Sequence, residues 1–261
     1  MFDSLPIASL DDLIPFALVL ARVAGLFSAI PVFGGRVVQA RVKAPLILAM
    51  ALLIFPIVRP EAIPPAGDAI SLMLIVIREV LVGLTMGMIS QVIFAAVEFC
   101  GHQVGSQMGL SMSSMFDPNT QAHVPTMAMF QSLLATLLFL SFGVHHFFLT
   151  GIVDSYRLLP LGAWHTSPEL FSFIISVSSG MFVIAVKLAA PVAVALLATT
   201  VALGIAARSF PSMNVFVISM PLNIGVGLVI LGISLPVFLR VLKNAFGGLV
   251  QQIDTLFRLL A

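Results

Sequence analysis

The sequence predicts an all-α integral membrane protein, and two observations support this prediction: the composition and the length of the apolar runs. Of the 261 residues, 60% are hydrophobic and only 9% are charged, and the mean hydropathy is +1.15. Soluble domains carry about 25% charged residues, so this composition indicates a chain that lies in lipid. The apolar runs do not alternate with polar residues and are too long for buried strands, which makes them helices.

Six apolar segments predict the helices, and several of them have unusual lengths. The segments cover residues 13–33, 44–58, 70–97, 127–142, 170–206 and 215–239. The second segment has 15 residues and would cover only ~22 Å of a ~30 Å hydrocarbon core. Gly180 and Pro191 are expected to interrupt the fifth segment. Short, broken and overlong helices favour a hetero-oligomeric assembly in which protein neighbours surround them.

The charge balance and the reactive residues argue against several functions. The formal net charge of +1 gives no reason to expect nucleic-acid binding. Cys100 is the only cysteine, so neither an intrachain disulfide nor a cysteine-based metal cluster is predicted. His145 and His146 are adjacent and diverge on a helix, and the serines within 111–114 lack a matching histidine and aspartate. The sequence therefore predicts no enzyme and no catalytic, cofactor-binding or metal site.

The connector from Glu98 to Pro118 is the most informative stretch of the chain. It joins two apolar runs, yet it contains a carboxylate, glutamines, serines and methionines. Its polar groups must be buried in protein or line a cavity, because lipid cannot satisfy them. Methionine is flexible, so the cluster predicts either a deformable seal or an adaptable core. The residues of the predicted seal are Met108, Leu110, Met112, Met115, Phe116 and Asp117.

Glycines recur at four-residue spacing along the same region. On a helix this spacing gives a stripe without side chains, where a neighbouring backbone can approach closely. The pattern predicts helix packing and no chemistry. Its members are Gly83, Gly87, Gly101, Gly105 and Gly109.

Charged side chains inside or beside the apolar runs form a second group of candidates. An unpaired charge in lipid costs several kcal/mol. Such residues either line a polar conduit or proton relay, or they pair with other protein groups, and the second interpretation is the commoner one for buried ions. Arg78 and Glu79 are adjacent and point about 100° apart on a helix, so they are not expected to pair with each other. The full group is Arg22, Arg78, Glu79, Glu98 and Lys187.

Motifs spread in order over most of the chain point to one family. They are Pro31-Val-Phe-Gly34, Glu79-x-x-x-Gly83-x-x-x-Gly87, Glu98-x-x-Gly101-x-x-x-Gly105-x-Gln107-Met108-Gly109, Asp117-Pro118, Gly143-x-His145-His146, Ser155-Tyr156, Pro160-x-Gly162 and Arg208-x-x-Pro211-x-Met213-Asn214. This ordered set resembles the FliR family, the R subunit of the flagellar type III export gate.

The resemblance implies a channel-forming subunit that passes unfolded flagellar proteins across the bacterial inner membrane, within the flagellar basal body. It implies a part similar to the P subunit in residues 1–165 and a hairpin similar to the Q subunit, with a C-terminal amphipathic tail, in residues 166–261. The plug loop of the family corresponds to about 109–126. The turn of the Q-like hairpin would contain Arg208, Pro211, Met213 and Asn214.

The resemblance also implies partners. These are the P-type and Q-type gate subunits, the B-type and A-type export components, unfolded secreted proteins as cargo, and membrane lipid, with no nucleic acid and no cofactor. The chain has no Walker motif, so the energy for export would come from other components. Two alternatives stay open: a subunit of a virulence type III secretion system, and a small-solute secondary transporter or channel.

Overall fold

The computed structural model describes residues 12–34, 38–58, 68–110, 126–163, 167–209 and 214–260. Within these ranges the chain is helical and has no strand, which confirms the predicted all-α class. The helices are α1 (Leu13–Ala29), α2 (Pro31–Gly34), α3 (Ala40–Val58), α4 (Ala69–Gln107), α5 (Thr126–Ser141), α6 (Val144–Leu158), α7 (Pro168–Ser209), α8 (Val215–Gly247) and α9 (Leu249–Leu260).

Four helical stretches are long and apolar enough to cross a membrane. They are α3, α4, α7 and the stretch Val217–Leu260. α5 and α6 meet at a bend of 61° and together form a fifth, broken candidate. The bend contains Gly143, whose φ of +68° lies in the region that favours glycine. The chain is therefore a multi-pass membrane protein.

The helix α3 is longer than the sequence predicts. It begins at Ala40 and has 19 residues, which correspond to ~28 Å. Arg41 and Lys43 are good helix formers, so the helix extends upstream of the apolar run. Pro45 and Pro56 both lie inside it. The prediction of a segment too short to span was wrong.

The helix α7 is continuous, contrary to the predicted interruption. It has 42 residues and contains Pro191, so it is ~63 Å long, about twice the hydrocarbon core. Among the described residues, no atom would lie within 4 Å of a Cβ on Gly180, and Gly180 lies inside the continuous helix, so it makes neither a close contact with them nor a turn. In an apolar environment the helix supplies the only partners for the remaining peptide groups, which favours continuing it past a proline.

The chain divides into two compact units, and the first contains residues 1–92, 143–177 and 247–261. α1 is at the centre of the part of this unit that the structure describes, because side chains are buried on most of its circumference. Such an all-round apolar helix belongs in a protein core. Phe16 of α1 packs edge-on against Phe55 of α3, with ring centroids 5.7 Å apart.

The C-terminal helix α9 also belongs to the first unit. It is amphipathic, as predicted, and its apolar face packs on protein, including α6. The Ser167 hydroxyl donates a long hydrogen bond, 3.5 Å, to the Leu259 carbonyl oxygen. The buried side chains are Leu249, Ile253, Leu256, Phe257 and Leu260.

The second unit contains residues 93–142 and 178–246. An aromatic cluster joins α4, α5 and α8 within it. The ring centroids of Phe94, Phe139 and Phe246 lie 5.7 to 6.1 Å from one another. This cluster orients the C-terminal part of α4. The division into a P-like part and a Q-like part concerns relatedness, and it stays a prediction.

Candidate functional site

A fully buried ion pair lies in the first unit. The Nε atom of Arg22 on α1 lies 2.6 Å from the Oε2 atom of Glu79 on α4, and the two side chains are 0% and 1% exposed. Both residues belong to the group of charges found in the apolar runs. The structure pairs them with each other across 57 positions of sequence.

Further hydrogen bonds surround this pair. The Arg22 guanidinium donates to the Ser155 hydroxyl at 3.0 Å and to the Leu159 carbonyl oxygen at 3.2 Å. It lies 4.0 Å from the centroid of the Tyr156 ring, a cation–π contact. The second carboxylate oxygen of Glu79 accepts a hydrogen bond from the Gly162 N–H at 2.8 Å.

The geometry of this network favours a structural role over proton transfer. The Ser155 hydroxyl donates to the Ile152 carbonyl oxygen at 2.6 Å, so it is free to accept from Arg22. Both carboxylate oxygens of Glu79 have donors. A buried pair with satisfied partners joins helices rigidly, whereas a proton carrier needs a group that can exchange its proton. The cluster connects α1, α4, α6 and the turn before α7.

Three glycines allow α1 and α4 to approach each other closely near this pair. A Cβ on Gly83 would overlap the Arg22 carbonyl oxygen, and a Cβ on Gly25 would overlap the Val80 carbonyl oxygen. A Cβ on Gly87 would lie 2.5 Å from the Ala29 Cβ. The close backbone approach expected at Gly83 and Gly87 therefore occurs within this chain, against α1.

The other three charges lie on exposed helix faces. Glu98 and Lys187 are exposed, although each belongs to a long apolar helix. Arg78 is also exposed, and its Nη1 atom makes a long contact of 3.4 Å with the Gly162 carbonyl oxygen. Arg78 thus contacts the carbonyl oxygen of Gly162, whereas Glu79 accepts from its N–H. The two side chains do not pair with each other.

In the second unit, the glycines of α4 lie against α5. A Cβ on Gly101 would overlap the Ala128 backbone, whereas a Cβ on Gly105 would lie 3.3 Å from the Met127 Cβ. Gly109 ends the helix with φ of +83°, a left-handed conformation typical of the residue after a helix C-terminus. The glycine stripe therefore has two functions here: close packing, then a turn.

The predicted seal is described only at its beginning. Met108 is fully buried and contacts Gly227 of α8, and Leu110 is half-buried. Of the predicted hairpin turn, Arg208 is exposed at the end of α7, and the Asn214 side chain accepts a hydrogen bond of 3.4 Å from the Val217 N–H at the start of α8. The remaining candidates, Met112, Met115, Phe116, Asp117, Pro211 and Met213, lie outside the described residues.

Sequence reasoning missed several members of these sites. Ser155, Tyr156 and Gly162 are part of the family motifs, but nothing in their spacing connects them to Arg22. Gly227 had no signal that set it apart from the other glycines of α8. In the part of the chain that the structure describes, the buried side-chain oxygens of Gln107, Gln131 and Asn223 have no hydrogen-bond donor, which only a structure can show.

The Gly101 contact gives a direct test of the packing. We expect Gly101→Ala to lower the unfolding temperature clearly, because its methyl group would meet Ala128 backbone atoms that cannot move independently. Gly105→Ala should have a smaller effect, since its methyl group would lie 3.3 Å from the nearest atom, the Met127 Cβ, and would not overlap backbone. Gly180→Ala is the control, and it should stabilise the helix by up to about 1 kcal/mol. Equal unfolding temperatures for all three variants would contradict the close approach of α4 to α5.

Comparison with known proteins places these features in a family. Residues 13–249 match the family described as bacterial export proteins, family 1. The flagellar biosynthetic protein FliR of Bacillus subtilis (strain 168) is 34% identical over 256 residues, which cover 96% of this chain and 98% of that protein. FliR of Escherichia coli (strain K12) is 31% identical over 231 residues, which cover 87% of this chain and 86% of that protein. With agreement over almost the whole length, this chain belongs to the FliR family of flagellar export proteins.

Proposed function

We propose that this chain is a channel-forming subunit of the flagellar type III export gate, and that unfolded flagellar proteins cross the inner membrane through the assembly it forms. One observation carries the proposal: helices that are longer than a bilayer is thick leave apolar surface uncovered by this chain. Family membership supports a component of flagellar export. The uncovered surface supports a subunit that is enclosed by other protein chains.

The helix α7 shows this surface most clearly. Its exposed side chains are apolar over several turns, yet Lys187 is exposed among them near the middle of the helix. Lipid can cover the apolar side chains but leaves an ammonium group within the hydrocarbon without a partner. A neighbouring protein chain can provide both an apolar surface and an acceptor. The exposed apolar residues around Lys187 are Phe182, Val183, Val186, Val194, Leu197, Val201 and Ile205.

A groove on α8 gives a second surface of this kind. It has a volume of about 450 Å³ and is open on one side. Its lining is almost entirely apolar, so a helix of another subunit would bury it favourably. The lining residues are Pro221, Leu222, Gly225, Val226, Val229 and Ile230.

The partners that fit these surfaces are the P-type and Q-type gate subunits, with the B-type and A-type export components next to the assembled gate. The P-like part, residues 1–165, would pack beside P-type subunits, and the Q-like hairpin, residues 166–261, beside Q-type subunits. The gate would lie in the bacterial inner membrane within the flagellar basal body. The chain would act without enzymatic activity, with unfolded flagellar proteins as cargo.

The loop at about 109–126 would be the plug of this channel. Its first residue, Gly109, turns the chain out of α4, and its last, Thr126, begins α5. The loop therefore connects α4 to α5, and both of its ends belong to the second unit. Its methionines would repack around a passing polypeptide, because their side chains are flexible and apolar.

Assembly is the first test of the proposal. We expect the chain alone to be heterogeneous after gentle solubilisation, and co-expression with P-type and Q-type subunits to give one large complex of uniform mass. The reason is that Lys187 and the α8 groove need protein partners. Native mass measurement distinguishes these states. A stable monomer or homodimer that does not bind those subunits would contradict the proposal and would favour the transporter hypothesis.

A further inference from the structure

Met108 occupies a notch in α8 that exists because residue 227 is glycine. The Met108 side chain is fully buried at the end of α4. Its Cγ, Sδ and Cε atoms lie 2.7 to 2.9 Å from the position that a Cβ on Gly227 would take. Any side chain at 227 would therefore have to displace the end of Met108.

The other glycines of α8 do not share this environment. No atom of the described residues would lie within 4 Å of a Cβ on Gly225 or on Gly232. Glycine inside a helix is less favourable than alanine, so a buried glycine in close contact calls for a local reason. At Gly227 that reason is the side chain of Met108.

Two residues close in sequence to this contact have buried polar atoms without partners. Within the described residues, the Oε1 atom of Gln107 and the Oδ1 atom of Asn223 accept no hydrogen bond. Gln107 precedes Met108, and Asn223 lies four residues before Gly227, on the same face of α8. When Met108 lies in the notch, its own burial is favourable, whereas the burial of the two amide oxygens is unfavourable. Opposing contributions of this kind favour an element with two accessible states.

We propose that Met108 is a releasable latch: it sits in the notch at Gly227 while the export path is closed and leaves the notch when a polypeptide passes. Leaving the notch would let the amide oxygens of Gln107 and Asn223 meet hydrogen-bond donors. The latch rests on the proposed function, because Met108 at the end of α4 directly precedes the loop that this function assigns as the plug. It adds a moving contact between α4 and α8 that positions this loop.

A reversible cross-link tests the latch. Met108→Cys and Gly227→Cys are combined in a Cys100→Ala background, which contains no other cysteine. The Met108 Cγ atom lies 2.7 Å from the Gly227 Cβ position, so the two new Cβ atoms fall within the range of a disulfide. We expect oxidation of the assembled gate to reduce secretion of flagellar proteins at least tenfold, and reduction to restore it. Met108→Cys with Gly232→Cys is the control: it should not cross-link, and its secretion should be the same under oxidising and reducing conditions.

Each outcome of this experiment decides one question. A cross-linked gate that still secretes would show that the contact is static packing and would overturn the latch. Absence of the cross-link would overturn the contact itself. If the Cys100→Ala parent fails to restore secretion to cells that lack the chain, while the unaltered chain restores it, the background is replaced by Cys100→Ser. If the unaltered chain also fails, the proposed function itself is wrong.

A size exchange gives an independent measurement. We expect Gly227→Ala to displace Met108 and to raise ion leakage per assembled gate several-fold. Adding Met108→Ala should return the leakage toward that of Met108→Ala alone, because the smaller side chain removes the clash. Gly232→Ala should leave leakage unchanged. Equal leakage in Gly227→Ala and Gly232→Ala would overturn the latch.

Discussion

Replacing Glu79 with leucine is expected to prevent stable folding, because the change leaves the Arg22 guanidinium buried without its anion. Removing one partner of a buried ion pair typically costs about 3–5 kcal/mol. A whole domain is stable by only about 5–15 kcal/mol. The Gly162 N–H would lose its acceptor as well. We therefore expect the steady-state amount of the chain in membranes to fall at least tenfold, measured by quantitative immunoblotting.

The double variant Arg22→Met/Glu79→Leu separates the loss of the pair from the loss of one charge. Removing both charges avoids an unpaired ion, so the double variant should accumulate better than Glu79→Leu alone. The rescue should be partial, since the Leu159 carbonyl oxygen and the Gly162 N–H lose their partners. If the double variant is worse than both single variants, the stabilising contact is not the pair itself.

A matched control is available on α6. Arg157 and Asp154 form an exposed pair with an N–O distance of 3.8 Å, and such pairs contribute little to stability. Asp154→Ala should therefore accumulate normally. Glu79→Gln addresses the proton-relay hypothesis, because it removes the charge and keeps an oxygen that can accept from Gly162. If Glu79→Gln assembles normally but loses secretion, Glu79 has a role beyond structure, as the proton-relay hypothesis requires.

The existence of the helices can be predicted from this sequence more reliably than the residues at which they begin and end. Composition and apolar runs identified the membrane helices, because lipid forces each peptide group to bond within its own segment. The same constraint explains why α7 continues past Pro191 and why α3 contains Pro45 and Pro56, although proline is a common stop signal in water. The helix α6 was missed as a separate element, since its polar residues interrupt the apolar pattern.

The pairing of candidate residues depends on contacts between distant parts of the chain. Arg22 and Glu79 were identified as unusual charges, but their pairing depends on how α1 and α4 cross. The glycine at position 83 indicated that some backbone approaches α4, and it gave no information on which one. Gly227 could not be selected from sequence, because its role depends on Met108 at the end of another helix.

Deleting Ser111 to Met115 is expected to make the assembled gate leak. If the loop at about 109–126 is the plug, the deletion removes two of its methionines and shortens the segment that fills the channel. Loops with few apolar contacts open at a low free-energy cost, as a gating element requires. We therefore expect ion or small-solute flux per assembled gate to rise at least tenfold, measured in vesicles or by conductance.

A control separates shortening from the loss of methionine. Met112→Ser with Met115→Ser keeps the length of the loop and removes its flexible apolar side chains. If the methionines form the seal, this variant should leak almost as much as the deletion. If loop length alone matters, it should remain tight.

The flux must be normalised to the amount of assembled gate, because two interpretations predict the same loss of secretion. A loop that only braces the assembly would give fewer complexes when shortened, and each complex would stay tight. A plug would give normal assembly and open complexes. Gly109 and Thr126 are retained in the deletion, so the turn out of α4 and the start of α5 are preserved. A tight deletion variant at normal assembly levels would therefore exclude the plug and leave this loop a structural role only.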